Sequence, residues 1–228
     1  MIAKVFSANV IGVNGYEVTV ETAMGGGLPG LTIVGLPDTA VKESRDRIKY
    51  AIKNSGFSFP TQRLLINLAP ADTKKEGTSF DLPIALSILA CEGIIDNERM
   101  ADTIFCGELS LDGKLKPIRG TLPIAMSVRG IGKKRLVMPV HNIKEASVIR
   151  DIELCPAADL KQVVSFLNGT VDLMAEHADV KDLLCRNSRY RFDFSDVNGQ
   201  EHAKRGLEVA AAGGHNVIFI CQIGRAHV

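Results

Sequence analysis

Hydrophobic and polar residues alternate along several segments of the chain, the pattern of half-buried β-strands. Apolar Tyr16, Val18 and Val20 are separated by polar residues, and residues 1–6 repeat the alternation. Short and mostly apolar runs predict further strands at residues 31–34, 64–68, 135–138 and 152–155.

Other segments repeat apolar residues at intervals of three and four, the period of a helix with one buried face. Pro37-Asp38 opens the first of these helices, which is expected to run to about Asn54. Asp81 can cap a second helix, with Pro83 tolerated in its first turn. Its buried stripe is expected to consist of Ile84, Ala85, Ile88 and Leu89. Further helices are predicted near residues 121–129, 160–167, 180–184 and 201–213.

Three local signals complete the prediction. Asp112-Gly113 between two short strand-like runs indicates a two-residue β-hairpin. Asn198 and Glu201 resemble a capping box at the start of the last helix, whose apolar stripe includes Leu207. A short apolar strand is expected after it, at residues 217–220.

Composition and charge narrow the functional classes. The chain has 228 residues, 46% hydrophobic and 23% charged, with a net charge of +1. A nucleic-acid site would therefore be a local patch, since no global field favours one. No apolar run approaches the roughly 18 residues that a membrane span needs, and residues 1–6 lack the signal-peptide pattern. The five cysteines show no C-x-x-C pair, so we expect reduced thiols in a cytoplasmic protein.

Three motifs follow one another in the first part of the chain: GLPDTAVKESR at residues 35–45, NLAPAD at 67–72 and EGTSFDLPIA at 76–85. Together they resemble the signature of the ComM/YifB family, bacterial AAA+ ATPases described as magnesium-chelatase-like. The resemblance covers residues 1 to about 221.

The resemblance implies an α+β protein in parts. Residues 1–168 would form a Lon-like domain with the ribosomal protein S5 domain 2-like fold of the Lon proteolytic domain, and residues 169–192 a linker. Residues 193–221 would begin an α/β AAA+ P-loop domain, and residues 222–228 are expected to be a non-native tail. Because the G-x-x-x-x-G-K-[ST] loop does not follow residue 220, we expect a fragment that ends before its motor and does not hydrolyse ATP.

The family relationship also implies a function for the whole protein. Competence members resemble hexameric ring helicases that drive branch migration of DNA during natural transformation, with ATP and Mg²⁺ as cofactors and no membrane partner. In AAA+ proteins a Val-x-Gly-Gln turn lies beside the adenine, and Val197, Gly199 and Gln200 match it here.

Basic residues recur along the first predicted helix. Lys42, Arg45, Lys49 and Lys53 form one stripe, and such a stripe can contact DNA phosphates without reading sequence. The alternative is a solvated face whose long side chains lie over the core edge, which acidic neighbours on the helix favour. The run at residues 133–135, Lys-Lys-Arg, is a second candidate with the same alternative.

No catalytic residue is predicted. Ser79 stands about where the Lon nucleophile stands, but Leu122 occupies the position of the lysine base that such a serine needs. The five histidines are isolated, so no metal site or chelatase chemistry is indicated. The remaining alternative is a non-catalytic module that binds protein or DNA.

Overall fold

The computed structural model describes residues 2–95, 99–173 and 193–220. These residues belong to two compact units, one over residues 2–173 and one over 193–220, and each is described by itself. Most of the predicted linker, the helix predicted near residues 180–184, Cys185 and residues 221–228 lie outside the described residues. Cys91, Cys106 and Cys155 are buried in the first unit.

The first unit is a mixed α/β fold. Its strands are β1 (Ile2–Ile11), β2 (Asn14–Gly25), β3 (Gly30–Val34), β4 (Arg63–Ala69), β5 (Thr103–Phe105), β6 (Glu108–Leu109), β7 (Leu115–Lys116), β8 (Arg135–Pro139) and β9 (Glu153–Ala157). Seven of them form one sheet in the order β3-β4-β2-β1-β5-β8-β9, and β6 pairs with β7. The sheet is mostly parallel, because only the β1–β2 and β2–β4 pairs are antiparallel.

Helices cover both faces of this sheet. They are α1 (Thr39–Asn54), α2 (Asp81–Cys91), α3 (Thr121–Gly130), α4 (Ile143–Ala146) and α5 (Leu160–Leu167). Alternation along β8 shows the two faces: Val137 joins the larger apolar cluster with α1, α2 and α5, whereas Leu136 and Met138 join the smaller one with α3 and α4. The sheet therefore separates two cores.

The first predicted helix is confirmed as α1. It could be predicted because its cap and its apolar stripe are local features of the sequence. The Asp38 carboxylate caps α1 by accepting a hydrogen bond from the backbone N–H of Val41 at 2.8 Å. One face of α1 is buried through Val41, Ile48 and Ile52, and the opposite face carries the charged residues.

The prediction for α2 was wrong in two respects. Phe80 occupies the N-cap position without a side-chain cap bond, and Asp81 is the first helical residue. Its buried surface is not a stripe, since every residue from Asp81 to Cys91 is buried. The reason is its central position: α2 packs on β1 and β2 and also against α1.

The Asp81 side chain instead forms a buried ion pair. Arg47 of α1 donates to it twice, from Nε at 2.7 Å and from Nη2 at 3.0 Å. The backbone N–H of Leu109 in β6 donates to the same carboxylate at 3.1 Å. Asp81 thereby joins α1, α2 and the β6–β7 hairpin. Burial raises the pKa of Asp81 to about 6, although Arg47 and the Leu109 N–H act in the opposite direction.

The hairpin around Gly113 is present, but its connection is longer than predicted. Glu108 pairs with Lys116 and Leu109 with Leu115, which leaves residues 110–114 as the loop. Ser110 stabilises this wider turn, because its backbone carbonyl accepts from the Gly113 N–H and its hydroxyl donates to the Lys114 carbonyl, both at 2.9 Å.

The second unit contains one α-helix, α6 (Glu201–Gly213), among the described residues. Its predicted capping box was wrong: Gln200 is the N-cap, in a left-handed conformation with no side-chain cap bond. A capping box occurs earlier, between Asp193 and Asp196 of a short 3-10 turn.

The predicted strand at residues 217–220 is also not formed. A strand needs a hydrogen-bonded neighbour, and the described part of this unit supplies none. No residue of α6 is buried, and Ile218 and Ile220 are 86% and 95% exposed.

The Arg47–Asp81 pair gives a test of the fold. We expect Arg47→Met to lower the free energy of unfolding at pH 7.5 by about 3–5 kcal/mol, because it leaves a buried carboxylate without its partner. Asp81 already has a folded-state pKa above its ordinary 3.8, so its contribution to stability is present at low pH and is lost as pH rises through about 6. Removing Arg47 raises that pKa further, and the loss should therefore be smaller at pH 5 than at pH 7.5.

Urea denaturation of both proteins at the two pH values measures this effect. The double variant Arg47→Met/Asp81→Asn is the control, and it should recover part of the lost stability because neither charge remains. Wild-type stability of Arg47→Met at pH 7.5 would contradict the assignment.

Candidate functional site

The basic stripe of α1 lies along an open groove at the edge of the sheet. One recess of about 480 Å³ lies between α1, the start of β3 and the connection from α1 to β4. Arg45, Lys49 and Lys53 line it from the helix. A second recess of about 220 Å³, lined by Thr32, Ile33, Lys42 and Arg45, lies beside it along β3. Arg45 belongs to both recesses, so the four cations follow one continuous groove.

The charges of this groove are not neutralised by the described part of the protein. None of Lys42, Arg45, Lys49 and Lys53 forms an ion pair with a described residue. Arg45 donates from Nε to the Lys42 carbonyl at 3.0 Å, which leaves its other guanidinium N–H groups available. Asp46 is the one carboxylate in the lining of the two recesses. The groove is therefore a local cationic surface on a chain of nearly zero net charge.

The second basic cluster has a different environment. Lys133 donates to the Ala101 carbonyl at 2.6 Å and lies 3.2 Å from the centre of the Phe6 ring. Lys134 pairs with Asp102 at 3.5 Å, and Arg135 pairs with Glu153 at 2.7 Å. All three cations are already engaged, so the structure favours the α1 stripe as the anion-binding candidate.

The start of α1 is fixed by a junction of the three sequence motifs. Lys75, which sequence reasoning missed, is fully buried, and its ammonium donates to the Pro70 and Thr73 carbonyls. Its backbone N–H donates to the Leu36 carbonyl at 3.1 Å, and its own carbonyl accepts from the Asp38 N–H at 3.0 Å. Burial lowers the pKa of the Lys75 ammonium. The role of Lys75 could not be predicted from residue spacing, because the partners of its ammonium are backbone carbonyls, which every residue carries.

Asp38 connects this junction to the helix. One carboxylate oxygen caps α1 at Val41, and the other accepts from the Gly77 N–H at 3.1 Å. The first and third motifs thus meet at the residue that begins the basic helix.

Gly35 is required at the same junction. Its φ is +97°, and a Cβ atom there would lie 2.1 Å from the Leu68 carbonyl oxygen in the second motif. Only glycine tolerates both the backbone conformation and the close approach.

Ser79 lines a separate cleft of about 280 Å³. Glu108 and Arg119 share the lining, and Thr78 donates its hydroxyl hydrogen bond to Glu108. No lysine is among the described residues that line this cleft. Leu122 is not among them either, so the cleft brings no lysine base to Ser79.

The turn proposed for adenine lies directly before α6. Gly199 and Gln200 are both left-handed, with φ of 69° and 59°, and the Val197 side chain is 44% exposed. Cations that follow are engaged within the helix, Lys204 with Glu201 and Arg205 with Glu208. Residues 193–220 therefore offer an apolar side chain beside a turn but no phosphate-binding loop. By themselves they do not form a binding site for a nucleoside triphosphate.

Metal-binding clusters and membrane-spanning helices are absent from the part of the chain that the structure describes. The described residues contain no group of three or more His, Cys, Asp or Glu side chains placed to hold a metal ion. His141, His202 and His215 are described, whereas His177 and His227 are not. No described helix combines the length and apolarity that crossing a membrane requires.

Family comparisons match both units. The family described as "Subunit ChlI of Mg-chelatase" matches residues 20–142, and "Magnesium chelatase, subunit ChlI" matches residues 193–227. The second match includes residues 222–227, which the sequence pattern predicts to be a non-native tail.

Individual relatives extend this result. The chain is 40% identical over 220 residues to "Competence protein ComM" of Haemophilus influenzae, covering 96% of the chain and 43% of that protein. It is 43% identical over 211 residues to the uncharacterised protein YifB of Escherichia coli K12, covering 92% of the chain and 40% of that protein. Lon protease of E. coli K12 is 24% identical over 166 residues, 67% of the chain and 21% of the protease. The chain thus spans about two fifths of the length of the first two relatives.

The contacts at the motif junction predict that two Gly→Ala substitutions have different effects on stability. Gly35→Ala should lower the free energy of unfolding by at least about 2 kcal/mol, because it combines a left-handed backbone with a clash against Leu68. Gly26→Ala is the matched control, since a Cβ there meets nothing within 4 Å. Urea denaturation compares the two variants, and equal stabilities would contradict the role of Gly35.

Proposed function

The chain belongs to the ComM/YifB family of magnesium-chelatase-like proteins, and on that premise we propose that it is part of an ATP-driven machine that remodels DNA. In this proposal residues 1–168 are a Lon-like accessory domain of the S5 domain 2-like class, residues 169–192 a linker and residues 193–221 the start of an AAA+ domain. The accessory domain performs no chemistry and holds DNA by its backbone. The observation that carries the proposal is the groove along α1 with its four cations unpaired among the described residues.

The proposal agrees with what the relatives suggest. The relative in H. influenzae is named a competence protein, and competence is the uptake of DNA, so DNA is the substrate class that this name favours. We infer branch migration during transformation as the process, a hexameric ring as the assembly, the cytoplasm as the location, and ATP with Mg²⁺ as the cofactors of the whole protein. Val197, Gly199 and Gln200 would face the adenine there, together with a phosphate loop that residues 193–220 do not contain.

The geometry of α1 suits contacts with phosphates. Lys42 and Lys53 are eleven residues apart, or about 16 Å along the axis at roughly 1.5 Å per residue. A row of cations over this length can follow several successive phosphates of a strand. Phosphate contacts carry no base information, which suits a protein that must act on DNA of any sequence.

A protein-binding module is the second candidate, and one observation favours it. β3 lies at the edge of the sheet, beside the same groove, so its outer side could accept an extended strand from a partner. A peptidase or a chelatase subunit has less support, because the described cleft at Ser79 contains no lysine and the described residues form no metal cluster.

Neutralising the stripe tests the DNA proposal. We expect Lys42→Gln/Arg45→Gln/Lys49→Gln to weaken DNA binding and to reduce the slope of log K against log[salt] by about 3, because each lost phosphate contact removes about one released counterion. Fluorescence anisotropy of a labelled oligonucleotide between about 50 and 200 mM NaCl measures both quantities.

Lys133→Gln/Lys134→Gln is the matched control, since it also removes surface cations but from the cluster that is already engaged. It should leave the salt slope nearly unchanged. If the triple variant binds DNA as tightly as the wild-type chain, or if the control has the larger effect, the groove is not the DNA site.

A further inference from the structure

The α1 groove contains more than cations. Its larger recess is also lined by the connection between α1 and β4, through Phe59, Pro60, Thr61 and Gln62. Pro29 and residues 30–31 at the start of β3 contribute the rest of the lining. An aromatic ring, polar side chains and a row of cations therefore share one recess.

The Phe59 ring is held in place by the core. It is partly buried and packs against the larger apolar cluster, while it also lines the groove. The backbone on either side is fixed as well, because the Phe57 N–H donates to the Ile52 carbonyl at 3.2 Å and Pro60 is buried. A planar group that stacks on this ring would not have to order it first.

The two recesses differ in their charged lining. Asp46 lies in the larger recess together with Phe59 and the cations Arg45, Lys49 and Lys53, whereas the smaller recess along β3 has only the cations Lys42 and Arg45. A carboxylate repels phosphate but accepts hydrogen bonds from base amino groups. The larger recess therefore offers a hydrogen-bond acceptor and an aromatic ring for a base, beside cations that can hold its phosphates.

Only an unpaired strand can use both features. In a duplex the bases are paired and stacked on one another, so a duplex would meet the cations and not Phe59. In a single strand the bases can turn out and stack on aromatic side chains while the backbone follows a basic groove.

We propose that the α1 groove is a binding site for single-stranded nucleic acid, with the backbone along Lys42, Arg45, Lys49 and Lys53 and one base stacked on Phe59. The inference rests on the proposed function, since it names the form of nucleic acid that the same groove takes. Thr61 and Gln62 supply polar groups at the edge of the stacked base without fixing its identity.

Substitution of Phe59 tests the stacking contact. Phe59→Leu should weaken binding of a single-stranded oligonucleotide by about 5- to 150-fold, the range for loss of one base–aromatic stack. Its effect on the matching duplex should be less than twofold. Phe57→Leu is the matched control, because Phe57 packs on the same core but is not among the residues that line the recess; it should leave both affinities unchanged.

A second measurement does not depend on loss of function. The chain has no tryptophan, so Phe59→Trp creates a single fluorescent reporter in the recess and Phe57→Trp creates one outside it. A saturating single strand should quench the emission of Phe59→Trp and leave that of Phe57→Trp unchanged, and the duplex should quench neither.

The outcomes separate this inference from the proposed function. DNA binding that depends on salt and on the α1 cations, but without quenching of Phe59→Trp and without an effect of Phe59→Leu, would overturn the stacking site and leave the phosphate groove standing. Absence of any DNA binding that depends on the α1 cations would overturn both.

Discussion

The buried ion pair between Arg47 and Asp81 is the contact on which the arrangement of the first unit depends. It joins α1, α2 and β6 through one carboxylate that is 1% exposed. A charge at such depth is tolerated only with its partners in place, so the pair, together with the buried face of α1, sets the rotation of α1 about its own axis. With Arg47 directed at α2, the face that carries Lys42, Arg45, Lys49 and Lys53 is directed away from the core.

The three family motifs hold the N-terminal end of α1 in place. They meet around Lys75, which holds the Pro70 and Thr73 carbonyls and pairs with the Leu36 and Asp38 backbone. These contacts position the start of α1. In this chain the residues of the family signature therefore have a structural role in the fold of the domain. The surface proposed for DNA lies on the other face of the helix, where only Lys42 and Arg45 belong to a motif.

The sequence predicts correctly those features that depend on residues close together along the chain. The limits of α1 follow from the cap at Asp38 and its apolar stripe, and the basic stripe follows from helical spacing alone. The role of Asp81 could not be predicted, because Arg47 lies 34 positions away and the local pattern indicated a cap. Phe59 was missed since it lies in a connection without periodicity, and its place in the groove is set by the pairing of β3 with β4. The strand at residues 217–220 was predicted from its apolar residues, but a strand also needs a neighbouring strand to which its backbone can hydrogen-bond.

Photocrosslinking a single strand to the chain would show which surface the strand occupies. An oligonucleotide carrying photoreactive thymine analogues would be crosslinked to the whole chain, and the modified peptides identified by mass spectrometry. If the strand lies in the α1 groove, crosslinks are expected within residues 42–62, with Phe59 among the modified residues. Crosslinks confined to residues 133–135 or to residues 193–220 would contradict a site in the α1 groove.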